Sequence, residues 1–174
     1  MTTTETFREE VEKGLGAVVI LAGSGSDEPH IEKIAGSLRK YGIPFEVRIA
    51  SAHKQSATLL RIIDEYDAMS GPLTYVAVAG GTDALSGTVS YRTYRPVVSS
   101  PPDAPNQSCL TNPPGSSNAT IYDPKNVGRF IAQMFSWTNR EYHKALANEM
   151  AAKLSSLEAD DNKLHAKFGG HKND

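Results

Sequence analysis

AVVILAGSGSD, residues 17–27, is the stretch on which the fold class turns. Six apolar residues run without a polar interruption, the pattern of a strand covered on both faces. Glycines and serines then break the run. Residues 28–41 follow, with Ile31, Ile34, Ala35 and Leu38 at helical spacing, and Gly42 and Pro44 end that helix. The chain repeats this strand–turn–helix unit. FEVRIA, residues 45–50, reads as a second strand, and residues 55–66 carry Leu59, Leu60, Ile62 and Ile63 on one helical face before Gly71 and Pro72. LTYVAVA, residues 73–79, is the third strand. The glycine-bearing GGTDALSG leads from it into a short helix beginning near Ala84.

RPVVSS, residues 95–100, and NATIYD, residues 118–123, read as two further short strands. Between them, residues 101–117 are rich in Pro, Ser and Asn. A structureless stretch of that length is unusual in a compact domain and points to a functional segment. A helix capped near Asp123 bears Val127, Phe130, Ile131, Met134 and Phe135. A last helix spans about residues 138–157, with Leu146, Met150, Leu154 and Leu157 in a stripe that needs a partner surface, on its own domain or on a neighbouring subunit.

Strands regularly separated by helices imply a parallel sheet with right-handed crossovers. The expected organisation is a single doubly wound α/β domain over residues 15–160, a polar extension over 1–14 and a flexible tail over 161–174. In such open sheets, ligands bind beyond the carboxyl ends of the strands. The loops GSGSD, SAHK and GGTD then share one sheet edge and form one site.

Bulk properties narrow the function. The chain has 174 residues and a formal net charge of −2, which argues against nucleic-acid binding through a general basic field. No apolar stretch approaches the ~20 residues of a membrane span, and no basic-then-apolar secretory leader is expected at the N-terminus. The single cysteine, Cys109, excludes an internal disulfide and fits a reducing, cytoplasmic setting. No HxH, HxxxH or carboxylate cluster near His53 suggests a metal site, and no G-x-S-x-G elbow suggests a serine hydrolase.

Each loop has two readings. In GSGSD, Ser24, Ser26 and the helix N-terminal amides either receive an oxyanion or phosphate, or Ser26 or Asp27 caps the helix. Five histidines occur, but only His53 combines a strand end with small neighbours, Ser51 and Ala52, that leave room for a ligand. An imidazole there can pass a proton in either direction near neutrality, and Lys54 adds a charge able to hold a carboxylate or phosphate. The alternative is a solvated surface histidine. In the third loop, Gly80 and Gly81 offer backbone amides, while Thr82 or Asp83 either meets a ligand or caps a helix.

Taken together and in order, VVILAGSGSD, GIPFEVRIASAHK, YVAVAGGTDALSG and RPVVSSPP resemble the aminoimidazole ribonucleotide carboxylase and N-carboxyaminoimidazole ribonucleotide mutase family of purine biosynthesis. The resemblance spans about residues 18–135. Lys54 after the motif histidine is similar to the direct carboxylase type, where the mutase type has arginine. The resemblance implies a three-layer α/β/α sandwich with a mainly parallel, doubly wound, flavodoxin-like sheet, assembled as a homo-octamer. It implies carboxylation with carbon dioxide and no metal, biotin or nucleotide cofactor. By motif position, Ser24, Ser26 and Asp27 would contact a ribose phosphate, and Ser51, Ala52, His53 and Lys54 would line the reacting centre. The loop carrying Gly80, Gly81, Thr82, Asp83, Leu85 and Ser86 would cover substrate or carbon dioxide.

Two stretches depart from the carboxylase pattern. Gly81-Thr82-Asp83 stands where that type has Arg-Ser-Asn, and Thr111 stands where it has a second arginine. Two further readings follow: a diverged carboxylase or decarboxylase of another heterocyclic or aromatic acid, and a non-catalytic oligomeric binding protein on the same scaffold.

Overall fold

The computed structural model describes residues 3–169. Five parallel strands make one sheet: β1 (Ala17–Ala22), β2 (Phe45–Ile49), β3 (Leu73–Val78), β4 (Val97–Ser99) and β5 (Ala119–Thr120). Their order is β2-β1-β3-β4-β5, the flavodoxin-like arrangement. The chain leaves β1 for one edge and returns to build the other, so the order reverses between β1 and β3.

Both faces are covered, which explains the unbroken apolar runs. Val19 and Leu21 of β1 and Tyr75 and Ala77 of β3 pack into one core, with the helices α1 (Glu5–Glu12), α3 (Ser56–Asp67) and α4 (Leu85–Arg92). Their neighbours Val18, Ile20, Val76 and Val78 face the other way, against α2 (Glu28–Lys40), α5 (Val127–Phe135) and α6 (Arg140–Phe168). The period-two alternation of strand side chains thus fills two cores at once. β2, an edge strand, leaves Val47 and Ile49 exposed.

The two chain ends differ from the expectation. Within the expected polar extension, residues 5–12 form α1, capped by Thr4, whose hydroxyl accepts from the Phe7 N–H at 3.2 Å. Phe7 and Val11, one helical turn apart, are buried in the first core. Gly71 makes that docking possible: a Cβ there would lie 2.1 Å from the Val11 carbonyl oxygen. At the other end α6 outruns the expected helix, so residues 161–168 of the expected tail are helical, while residues 170–174 lie outside the described residues. Asn139 starts α6 by accepting from the Glu141 N–H at 3.0 Å.

Candidate active site

The three loops converge as the parallel sheet requires. Gly23, Ser24, Ser26 and Asp27 after β1, Ser51, Ala52 and His53 after β2, and Ala79, Gly80, Thr82, Ala84 and Leu85 after β3 line one open hollow of about 290 Å³. It lies at the carboxyl ends of the strands, at the reversal of strand order, where an open α/β sheet parts its flanking helices.

The first loop is a short 3₁₀ turn, Gly25–Asp27, running into α2. Ser24 accepts from the Ser26 N–H at 3.2 Å, and the two hydroxyl oxygens lie 2.8 Å apart. Asp27 makes no side-chain cap to α2, so its carboxylate is not consumed by the helix. Burial pushes the Asp27 carboxyl above its usual range, with His30 opposing and Asp103 adding to the shift. His30, one turn on, puts Nε2 3.1 Å from the hydroxyl of the fully buried Ser100, and burial lowers its pKa.

In the second loop, the Gln55 N–H donates to the Ser51 carbonyl at 2.8 Å and the Lys54 N–H to the Ser51 hydroxyl at 3.3 Å. This tight turn carries His53 to the rim of the hollow, exposed to solvent. Lys54 is also exposed but does not line the hollow.

The third loop is held from behind by the irregular segment. The Gly81 N–H donates to Asp103 Oδ2 at 2.7 Å, and Asn106 Nδ2 donates to the Gly81 carbonyl at 2.8 Å and to Asp103 Oδ1 at 2.9 Å. The Ser108 hydroxyl accepts from the Asp83 N–H at 2.9 Å. The Gly81 amide, then the Asn106 amide, hold the Asp103 carboxyl below its usual range. Gly81 has φ +64°, a left-handed backbone that an arginine would adopt only with strain.

Gly81, Asp83 and Ser86 do not line the hollow. Asp83 is buried. Its Oδ1 accepts from the Ser86 N–H at 2.9 Å, at the start of α4, and its Oδ2 from the Ser99 hydroxyl at 3.3 Å. Its charge is therefore directed into the fold, the capping alternative of the sequence reading. Asp103, Asn106, His30 and Ser100 were not singled out from sequence. For Asp103 and Asn106 the only signal was the length of the irregular segment, which marks the region and not the residues; His30 and Ser100 lie outside it. Among the described residues no group of three or more His, Cys, Asp or Glu could hold a metal ion, and no helix is long and apolar enough to cross a membrane.

A five-stranded parallel sheet in this order, with a polar hollow built from loop amides, hydroxyls, a carboxylate and an imidazole, defines a flavodoxin-like α/β protein with a candidate small-ligand site at its switch point. The model of the AIR carboxylase family matches residues 17–156, and the chain belongs to that family. It is 35% identical over 153 residues to the phosphoribosylaminoimidazole carboxylase of Treponema denticola, covering 84% of this chain and 96% of the relative. It is 37% identical over 153 residues to the human bifunctional phosphoribosylaminoimidazole carboxylase/phosphoribosylaminoimidazole succinocarboxamide synthetase, where the match covers only 36% of the relative. The crystal structure of Treponema denticola PurE superimposes with a TM-score of 0.81 at 34% identity, over 86% of this chain and 98% of that one.

Proposed function

We propose that this chain carboxylates aminoimidazole ribonucleotide with carbon dioxide and runs the reverse decarboxylation, as a carbon–carbon lyase of purine biosynthesis. The observation that carries the reading is the meeting of His53 with both glycine-bearing loops in one hollow. The substrate's electron-rich ring carbon attacks the carbon of carbon dioxide, and one C–O π bond becomes a carboxylate lone pair. The ring proton then leaves to His53, which restores aromaticity. In reverse, His53 returns that proton as the C–C bond breaks and carbon dioxide departs. The protein supplies orientation, a proton acceptor and donors for the new charge.

Ser24, Ser26 and Asp27 are assigned to the ribose phosphate and its hydroxyls, with Asp27 accepting from the sugar. Ser51, Ala52 and the loop of Gly80, Thr82 and Leu85 enclose the reacting ring. Lys54, outside the hollow of one subunit, acts as a long-range cation. A hollow near 290 Å³ sits at the low end of ligand-pocket sizes, which fits a site whose walls are completed by a neighbouring subunit; the homo-octamer that the family resemblance implies is part of the same proposal. A cytoplasmic location belongs to the same proposal.

A second reading, action on a different heterocyclic or aromatic acid, is supported by the third loop. Gly81 replaces a family arginine, and the Asp103 carboxylate stands beside Gly80 and Gly81. Two measurements test the proposal, the first of which separates the two readings. Thermal shifts with aminoimidazole ribonucleotide at about 100 times Kd should report ~2.7 kcal/mol of stabilisation for the purine enzyme and nothing for the diverged one. His53→Asn should lower kcat ~10²–10⁴-fold with Tm unchanged, because the ring is exposed and makes no structural bond. Full activity in His53→Asn would overturn the assignment of the proton acceptor, and silence with the ribonucleotide would overturn the substrate.

A further inference from the structure

The irregular segment brings a second carboxylate to the hollow, and the mechanism above gives it no task. Asp103 is exposed. A Cβ added at Gly80 would meet its Cγ, Oδ1 and Oδ2 at 3.2 Å each, and Gly80 belongs to the lining, so the carboxylate stands against the wall of the site. Its charge is felt inside: it adds to the upward push on the carboxyl of Asp27, which lines the same hollow.

That charge is held in place without being neutralised. Oδ2 accepts from the Gly81 N–H at 2.7 Å and Oδ1 from Asn106 Nδ2 at 2.9 Å. Both donors are neutral amides. They favour the ionised form and fix where it sits, while a full negative charge remains. The lining side chains include one carboxylate, Asp27, and one imidazole, His53, and among the described residues of the lining there is no lysine or arginine. Three amides of the third loop are already used within the fold: Gly81 to Asp103, Asp83 to the Ser108 hydroxyl at 2.9 Å, and Ala84 to the Thr82 carbonyl at 3.0 Å. An anion entering on this side meets a like charge, with those donors spent.

The consequence rests on the reading of the chain as an aminoimidazole ribonucleotide carboxylase. Its two ribonucleotides share the sugar and the phosphate and differ by one carboxylate on the ring. Carbon dioxide and the unsubstituted ring are uncharged. A fixed negative charge beside the loop that encloses the ring leaves the uncharged ring alone and repels the carboxylated one.

We propose that Asp103 is a specificity-determining residue of this site, which disfavours the carboxylated ribonucleotide relative to aminoimidazole ribonucleotide and so favours release of the carboxylation product. It takes no proton and leaves the equilibrium between the two ligands in solution unchanged.

Initial-rate kinetics of the full chain in both directions test this. Asp103→Asn removes the charge and keeps an oxygen for the Gly81 N–H, while Asp103→Ser removes charge and bulk together. Each should lower KM for carboxyaminoimidazole ribonucleotide in decarboxylation by ~3–10-fold and leave KM for aminoimidazole ribonucleotide in carboxylation within about twofold of wild type. Far-UV circular dichroism checks the fold of each variant. A loosened loop would raise both values, and a general relief of repulsion toward the phosphate would lower both equally. Either result, or an unchanged ratio, overturns the inference and leaves the carboxylase reading standing. So does loss of the fold in both variants, which would make the carboxylate a tether of the loop. A wild type that turns over neither ribonucleotide overturns the carboxylase reading, and this inference with it.

Discussion

Replacing Asp83 tests whether that carboxylate holds the fold together or reaches for ligand. Asp83→Ala removes the acceptor for the Ser86 N–H at the start of α4, and such a loss typically costs ~1 kcal/mol. It also strands the hydroxyl of Ser99, which is fully buried and bonded to Asp83 Oδ2, at ~1–3 kcal/mol. The sum is ~2–4 kcal/mol. With a urea m-value near ~2 kcal/mol/M for a domain of this size, the midpoint should fall by ~1–2 M with m unchanged. Asp83→Asn keeps an oxygen toward Ser86 and turns an amide toward Ser99, whose hydroxyl can rotate to accept. It should fall by less than about a third as much. Urea titration followed by circular dichroism gives both numbers, and kinetics on the same samples should show KM for aminoimidazole ribonucleotide changed little by Asp83→Asn. A midpoint in Asp83→Ala within ~0.25 M of wild type would refute the reasoning. So would an Asp83→Asn variant that is as stable as wild type yet binds substrate many-fold more weakly, because the carboxylate would then be a ligand contact.

Two other expectations follow from buried groups. The pKa of His30 is lowered in the folded state, so the unfolded chain takes up the proton first and stability is lost as pH falls below about 6.5. Lys33 reinforces that lowering and Asp27 opposes it, while the raised Asp27 carboxyl works in the other direction at lower pH, above 3.8. His30→Gln should therefore lose less of its urea midpoint than wild type between pH 7.5 and 5.5, and an equal loss would count against this account. Phe7→Ala empties part of the core under α1, at ~3–5 kcal/mol, which is roughly 6–20 °C in Tm for a chain of this length. A shift under about 2 °C in thermal denaturation would mean that α1 is not docked.

The scaffold was legible because its signals are local. Apolar runs bounded by Gly and Pro mark β1 and β3, and Ile31, Ile34 and Leu38 mark the helix between β1 and β2. α1 was missed for the opposite reason. Two apolar residues in an otherwise polar window carry little periodicity, and their burial depends on a glycine sixty residues later, Gly71. The site divides in the same way. His53, Ser24 and Ser26 could be picked out by standing where strands end. Asp103 and Asn106 could not, because their role depends on long-range bonds to the backbone of Gly81.

From the residues alone came the βαβ rhythm, the parallel sheet, the edge on which the loops gather and the family resemblance. These follow from periodicity and motif spacing, properties of neighbours in the chain. The side chains of the third loop were allotted by the folded molecule. Thr82 lines the hollow while Asp83, one residue on, turns inward to Ser86 and Ser99. A capping carboxylate and a ligand-binding one share the same sequence neighbourhood, and only the donors that packing brings near can tell them apart.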